Sequence, residues 1–190
     1  MKQQIRILGI DDSPFKFGDK SALVVGALVR APNYLEGVIK SEVTVDGTDS
    51  TETIVRMVLE SRFKDQIKLL MIDGIALAGF NVIDIDRVHS ESGVPVLTVT
   101  RDKPDFVKMK EALEKYFDDW RERYDLITRV KLRTIRTEHK PLYACGVGMD
   151  WGEFEGIVRI STVRGVVPEP IRVAHLIASA MVRGESYGRS

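Results

Sequence analysis

The first part of the chain holds three consecutive strand-like segments with no room for a helix between them. Residues 4–12 form an apolar run, residues 21–30 are rich in valine, leucine and alanine, and residues 38–45 alternate between apolar and polar side chains. A period of two is typical of a strand with one solvent-exposed face. Because the connections are short, consecutive segments must be antiparallel neighbours. This order constrains the fold more than any other feature of the sequence.

The pattern after residue 46 alternates between helices and strands. The predicted elements are an amphipathic helix that carries Ile54 to Phe63, a strand over 67–73, a loop over 74–79, a helix over 82–92, a strand over 94–100, a long helix over 105–129, strands over 131–137 and 142–147, and helices over 150–163 and 169–183. Three antiparallel strands followed by parallel strands favour an α/β protein with a mixed sheet flanked by helices. This order resembles the ribonuclease H-like fold. The alternative is a doubly wound parallel sheet, which the uninterrupted first three strands disfavour.

Two of the predicted strands end in carboxylates. The first strand ends in Asp11 and Asp12, and the strand over 67–73 ends in Asp73. Because side chains alternate across a strand, only one of Asp11 and Asp12 faces the same way as Gly9. Two buried strands that each deliver a carboxylate at the carboxyl end predict a site that they share.

The segments around these carboxylates resemble endonuclease V. Residues 9–13, Gly-Ile-Asp-Asp-Ser, resemble the first catalytic strand of that family. Residues 72–74, Ile-Asp-Gly, resemble its second carboxylate strand. The strand that follows ends in a lysine in endonuclease V and in Arg101 here, and Arg172 resembles the start of the last catalytic helix.

Three short segments resemble a family of endonuclease V-like proteins without a settled activity still more closely. They are Asp-Asp-Ser-Pro-Phe at 11–15, Val-Asp-Gly-Thr-Asp-Ser-Thr at 45–51 and Asp-Lys-Pro at 102–104. The resemblance extends from the first strand to the last helix. It implies one endonuclease V-like domain over residues 1–190, with a flexible tail from about residue 184.

The resemblance implies a nuclease or related phosphodiesterase that uses magnesium or manganese and acts on nucleic acid. Magnesium prefers oxygen ligands and keeps several waters, so one or two carboxylates and the substrate phosphates are sufficient to hold it. The predicted site residues are Asp11, Asp73 and Asp49 for metal binding and catalysis, Arg101 for catalysis and Arg172 for substrate binding. Asp46 is the alternative to Asp49 as third ligand. Arg101 would neutralise charge on the phosphate, because a guanidinium matches phosphate geometry.

Several of these residues also have a purely structural interpretation. Asp12 is expected to form an Asx turn ahead of the following Ser-Pro. Asp49 would be a helix N-cap, with Glu52 completing a capping box. His175 is expected to be a packed or hydrogen-bonded histidine, and Cys145 a small buried residue. On this interpretation the carboxylate cluster has no histidine partner.

The sequence departs from endonuclease V at three places that concern base recognition and proton transfer, whereas the metal-binding carboxylates are kept. Gly79 stands where that family has a histidine after its Asp-Gly, and Ile171 stands before Arg172 where the family has another. Residues 45–50 replace the Pro-Tyr-aliphatic-Pro-Gly wedge that opens the duplex. We therefore expect slow metal-dependent cleavage without a preference for deaminated bases. The alternative is a noncatalytic module that binds nucleic acid or protein.

Composition limits the partners and the location. The 28 basic and 28 acidic residues cancel, so an anionic partner needs a local patch or a metal ion. Lys131, Arg133 and Arg136 are expected to form a solvated face, with contact to a phosphate backbone as the alternative.

A single cysteine excludes an internal disulfide. Without a membrane span or signal peptide, we expect a cytoplasmic monomer or small homo-oligomer with no membrane partner.

Overall fold

The computed structural model describes residues 4–16 and 18–186. The strands are β1 (Arg6–Asp12), β2 (Ser21–Arg30), β3 (Tyr34–Thr44), β4 (Leu69–Asp73), β5 (Ala76–Leu77), β6 (Asn81–Val82), β7 (Val96–Thr100), β8 (Arg133–Ile135) and β9 (Leu142–Val147). The helices are α1 (Ser50–Leu59), α2 (Ile85–Ser92), α3 (Phe106–Tyr116), α4 (Trp120–Arg129), α5 (Trp151–Ser161) and α6 (Glu169–Arg183).

Seven of the strands form one mixed sheet in the order β3-β2-β1-β4-β7-β9-β8. β1, β2 and β3 are antiparallel neighbours, whereas β4 runs parallel to β1 and β7 runs parallel to β4. β9 returns antiparallel beside β7, and β8 completes the edge. This is the ribonuclease H-like arrangement that the strand order predicts. The antiparallel half of the sheet rules out the doubly wound alternative.

Alternation along β1 sends its side chains into two separate cores. Leu8 and Ile10 face a core that α1 and α2 cover, whereas Ile7 faces a core that α5 and α6 cover. Gly9 lies between them and has no side chain, so the first turn of α6 rests directly on the strand. A Cβ at this position would overlap the carbonyl group of Pro170. The close approach holds α6 over the end of β1.

Three predicted elements differ from the structure. The long helix predicted over 105–129 is broken into α3 and α4, because Phe117 has an extended backbone with φ −134° and ψ 127°. Its ring packs edge-on against Phe80, with the ring centroids 5.7 Å apart. The hairpin of β5 and β6 occupies the predicted loop and the residues directly after it, so α2 starts later than expected. β3 starts at Tyr34, four residues before the predicted strand.

α6 ends at Gly184, whose left-handed backbone has φ 85°. Most of the predicted flexible tail, residues 187–190, lies outside the described residues. Within residues 4–16 and 18–186, no helix combines the length and apolar character that a bilayer crossing requires.

Candidate active site

β1 and β4 bring Asp11 and Asp73 to the same edge of the sheet. The parallel register places Ile10 beside Ile72, so the two aspartates that follow them are neighbours. By alternation, both carboxylates share the face of Ile7, which lies in the core under α5 and α6. The structure therefore brings together the two carboxylates that the sequence pairs, on the side of the sheet that α6 covers.

α6 adds a histidine to this pair. Nδ1 of His175 lies 2.8 Å from Oδ2 of Asp11. The prediction of a hydrogen-bonded histidine is confirmed, but the expectation that the carboxylates lack a histidine partner is wrong. The sequence held a signal for this contact. His175 follows Ile171 by four residues, about one helical turn, so it lies on the helix face where endonuclease V has its histidine.

The environment of Asp73 disfavours its ionised form. Burial and the neighbouring charge of Asp11 raise the pKa of Asp73 to about 7, although Arg101 and His175 act in the opposite direction. Two adjacent carboxylates cannot both ionise in a buried site without repulsion. A bound divalent cation would offset that repulsion, so the pair fits a metal site.

The described residues hold no group of three or more histidine, cysteine, aspartate or glutamate side chains arranged to bind a metal. The pair of Asp11 and Asp73 is still sufficient for magnesium, which takes its remaining ligands from water and phosphate. The geometry thus suits a metal that is held jointly by the protein and its substrate.

Asp12 points to the opposite face of β1. Its Oδ2 accepts a hydrogen bond of 3.0 Å from the Ala78 N–H, in the turn between β5 and β6. Burial and the charge of Asp11 raise the pKa of Asp12 to about 6. The predicted Asx turn is wrong, because the residue two positions on is Pro14, which has no N–H, and the N–H of Ser13 donates to β2. Through this hydrogen bond, Asp12 instead links the turn between β5 and β6 to the end of β1.

The structure does not bring Asp49 to the carboxylate pair. Its carboxylate accepts hydrogen bonds from the Thr44 hydroxyl at 2.9 Å and the Asn81 amide at 2.6 Å. Burial alone would raise the pKa of Asp49, but these hydrogen bonds outweigh it and lower the pKa. Thr44 ends β3, which β2 separates from β1. The predicted N-cap bond is absent, and Asp46, the alternative ligand, accepts from the Phe80 N–H instead.

Arg172 lies in the first turn of α6, but its guanidinium is engaged. Its Nε and Nη2 donate to the two carboxylate oxygens of Glu169 at 2.9 and 2.7 Å. Glu169 is itself buried. Such a bidentate pair fixes both side chains. Arg172 therefore has a structural partner. The charge of Arg101 acts on Asp73 and opposes the rise in its pKa.

Arg123 of α4 holds the loops beside the site. Its Nη1 donates to the carbonyls of Asp46 and Gly47, both at 2.9 Å, and to the Phe80 carbonyl at 2.7 Å. Its Nε donates to Asp119 at 2.8 Å. One buried guanidinium thus joins the β3–α1 loop to the hairpin of β5 and β6. That hairpin carries the N–H that binds Asp12.

We expect Arg123→Met to destabilise the protein by about 1–2 kcal/mol, because the loop carbonyls lose a charged donor and regain water only in part. The matched control is Arg121→Met on the same helix, whose exposed guanidinium stacks on Trp120. Urea denaturation of both variants measures the difference. Equal stability of the two variants would show that Arg123 does not clamp the loops.

A ribonuclease H-like sheet with paired carboxylates at one edge is the arrangement of an endonuclease V-like protein. The chain belongs to the Endonuclease dU family, whose sequence model matches residues 3–182. A UPF0215 protein of Methanosarcina barkeri is 44% identical over 191 residues, covering 100% of this chain and 97% of the relative. A UPF0215 protein of Methanothermobacter thermautotrophicus is 44% identical over 190 residues, covering 99% of this chain and 93% of the relative.

Solved structures show the same fold. A protein of unknown function from Archaeoglobus fulgidus is 35% identical with a TM-score of 0.84, covering 95% of this chain and 100% of the other. Human ENDOV has a TM-score of 0.66 at 15% identity, with coverages of 96% and 86%. Endonuclease V of Ciona intestinalis, in complex with inosine-containing DNA, has a TM-score of 0.65 at 11% identity, with coverages of 97% and 88%. The two endonuclease V structures are similar in fold alone.

Proposed function

We propose that the protein is an endonuclease that hydrolyses phosphodiester bonds of nucleic acid with magnesium or manganese as cofactor. The observation that carries this proposal is the convergence of Asp11 and Asp73 at one sheet edge, with His175 hydrogen-bonded to Asp11. The membership of the Endonuclease dU family supports the same class of reaction.

Asp11 and Asp73 would hold the metal ion, which when bound polarises the phosphate and lowers the pKa of a water. His175 orients Asp11 through its 2.8 Å contact. Arg101 places positive charge near Asp73, where the phosphate would bind, and so offsets the charge that develops on it. We assign this role to Arg101 before Arg172, since Arg101 is the arginine whose charge acts on Asp73.

We propose DNA that contains deoxyuridine as the first substrate to test, because the family description names dU. The solved Ciona intestinalis enzyme holds DNA with another deaminated base, inosine. The missing wedge and the glycine at position 79 predict the opposite, namely cleavage without a preference for deaminated bases. A comparison of matched substrates decides between these two expectations.

One observation favours the alternative of a noncatalytic binding module. In the described part of the chain, no group of three or more histidine, cysteine, aspartate or glutamate side chains is arranged to hold a metal. A site that binds a metal only together with substrate is weaker than a preformed one. The binding module would keep the fold and hold nucleic acid without cutting it.

The deciding experiment is a panel of single-stranded, duplex, hybrid, inosine-containing and deoxyuridine-containing oligonucleotides, each with manganese and with a chelator. We expect chelator-sensitive cleavage of at least one substrate. The acid–base groups that differ from endonuclease V typically contribute about 10²–10⁴-fold, so the reaction should be slow. Binding without cleavage in every lane would favour the noncatalytic module.

A further inference from the structure

A second feature at the active-site end of the molecule is a pocket of about 400 Å³ between the β8–β9 turn and the end of α5. Its lining includes Arg136, His139 and Arg159, and Glu138 is the one carboxylate among the described lining residues. We call it the β8–α5 pocket. The proposed reaction does not use any of these residues.

The sheet register places this pocket at the same edge as the carboxylates. Asp73 lies beside Val99 of β7, and Val99 lies beside Ala144 of β9. Ala144 in turn lies beside Arg133 of β8. β8 runs in the same direction as β4. It extends two residues past the level of Asp73 and ends just before Arg136. The pocket therefore lies beyond the edge of the sheet at which Asp73 is found.

The pocket and the carboxylates also share one face of the sheet. Ile135, the last residue of β8, packs with Ile157 and Val158 of α5 in the core that lies on the α6 side. Asp11 and Asp73 project to that same side. Arg159 and the rest of the α5 side of the pocket lie at the carboxyl end of the helix.

The guanidinium groups of the pocket are available to an anion. Among the described residues, none forms an ion pair or hydrogen bond with the Arg136 side chain. Arg159 has a loose contact of 3.6 Å to Glu155, and its side chain is 59% exposed. The two guanidinium groups of the lining are positively charged, and Glu138 contributes one negative charge to it. The planar fork of arginine is the side chain best suited to bind phosphate.

We propose that the β8–α5 pocket binds phosphate groups of a nucleic-acid strand whose scissile bond lies at Asp11 and Asp73. The proposal rests on the proposed nuclease function. Three interstrand spacings of about 4.8 Å separate β4 from β8, or about 14 Å in total. Along one strand of a B-form duplex, which rises about 3.4 Å per nucleotide, this corresponds to roughly four nucleotides. Arg101, at the end of the intervening β7, lies along the path.

The test is the salt dependence of binding, measured with a chelator so that no cleavage occurs. The probe is a fluorescent single-stranded oligonucleotide, and the variant is Arg136→Gln with Arg159→Gln. Each lost phosphate contact should reduce the slope of log K against log salt by about 0.7, or by about 1.4 for two contacts. A second probe with a single phosphate can occupy only one of the two sites, so its slope should differ between the two proteins by at most about 0.7.

The matched control is Arg62→Gln with Lys64→Gln, which removes two exposed cations at the opposite end of β4. It should keep the wild-type slope. Excess inorganic phosphate at constant ionic strength should not displace the long probe, since a free anion makes only one of its contacts. Equal slopes for wild type and the pocket variant, or no binding by wild type, would overturn the proposal. Because cleavage is not measured, a failed nuclease assay leaves this result interpretable.

Discussion

Asp73→Asn should reduce metal-dependent cleavage by at least about 10³-fold. Bound metal contributes several kcal/mol of transition-state stabilisation, and each 1.36 kcal/mol corresponds to a tenfold change in rate. An amide carries no charge and is a poor partner for a divalent cation. Asp11 would then be left to bind the metal alone, in competition with water ligands.

The same substitution should stabilise the folded protein at neutral pH without metal. The pKa of Asp73 is raised to about 7 by burial and by Asp11, so ionisation is disfavoured in the folded state. The stability associated with the protonated carboxyl is fully present below its unfolded pKa of about 3.9 and is lost as pH rises through about 7. The Tm of Asp73→Asn should therefore exceed that of wild type by a margin that grows from pH 4 to pH 8.

Thermal unfolding at several pH values, with and without magnesium, measures this effect apart from activity. Magnesium should raise the Tm of wild type more than that of Asp73→Asn, because a ligand stabilises the state to which it binds. Asp65→Asn, an exposed aspartate at the opposite end of β4, is the matched control and should behave as wild type. Chelator-sensitive cleavage at the wild-type rate by Asp73→Asn would rule out Asp73 as a metal ligand.

Gly9→Ala should produce the largest loss of stability. The added Cβ would overlap the carbonyl carbon and oxygen of Pro170 and come within 2.7 Å of the Ile171 nitrogen. These are backbone atoms that no rotamer change can move. We expect a cost of about 3 kcal/mol, at the upper end of the range for overpacking. For a chain of this size that lowers Tm by roughly 6–12 °C.

The same variant tests how α6 contributes to the site. A displaced helix moves His175 away from Asp11, so cleavage should fall even where the protein is still folded. Gly152→Ala is the control, because its new Cβ meets only the Asp150 carboxylate, at 3.2 Å. An unchanged Tm for Gly9→Ala would mean that α6 does not rest on β1 as described.

Local pattern alone predicted the antiparallel pairing of β1, β2 and β3 and the carboxylate pair. Short connections between residues 4–12, 21–30 and 38–45 leave only antiparallel pairing, and apolar runs that end in aspartate mark the carboxyl ends of buried strands. Alternation required that only one of Asp11 and Asp12 share the face of Gly9. These features depend on the period of side chains along a strand, which the sequence expresses directly.

Other parts of the site depend on contacts between residues far apart in the chain. His175 meets Asp11 across 164 positions, because Gly9 allows α6 to lie on β1. The sequence predicts Asp49 as a helix N-cap, but its carboxylate accepts hydrogen bonds from Thr44 and Asn81 instead. Local propensity describes each helix and strand by itself, but helix placement on the sheet decides which side chains meet. The sequence by itself therefore determined the antiparallel pairing of the first three strands and one carboxylate pair, whereas only the tertiary structure decided that a histidine completes that pair and that Asp49 does not join it.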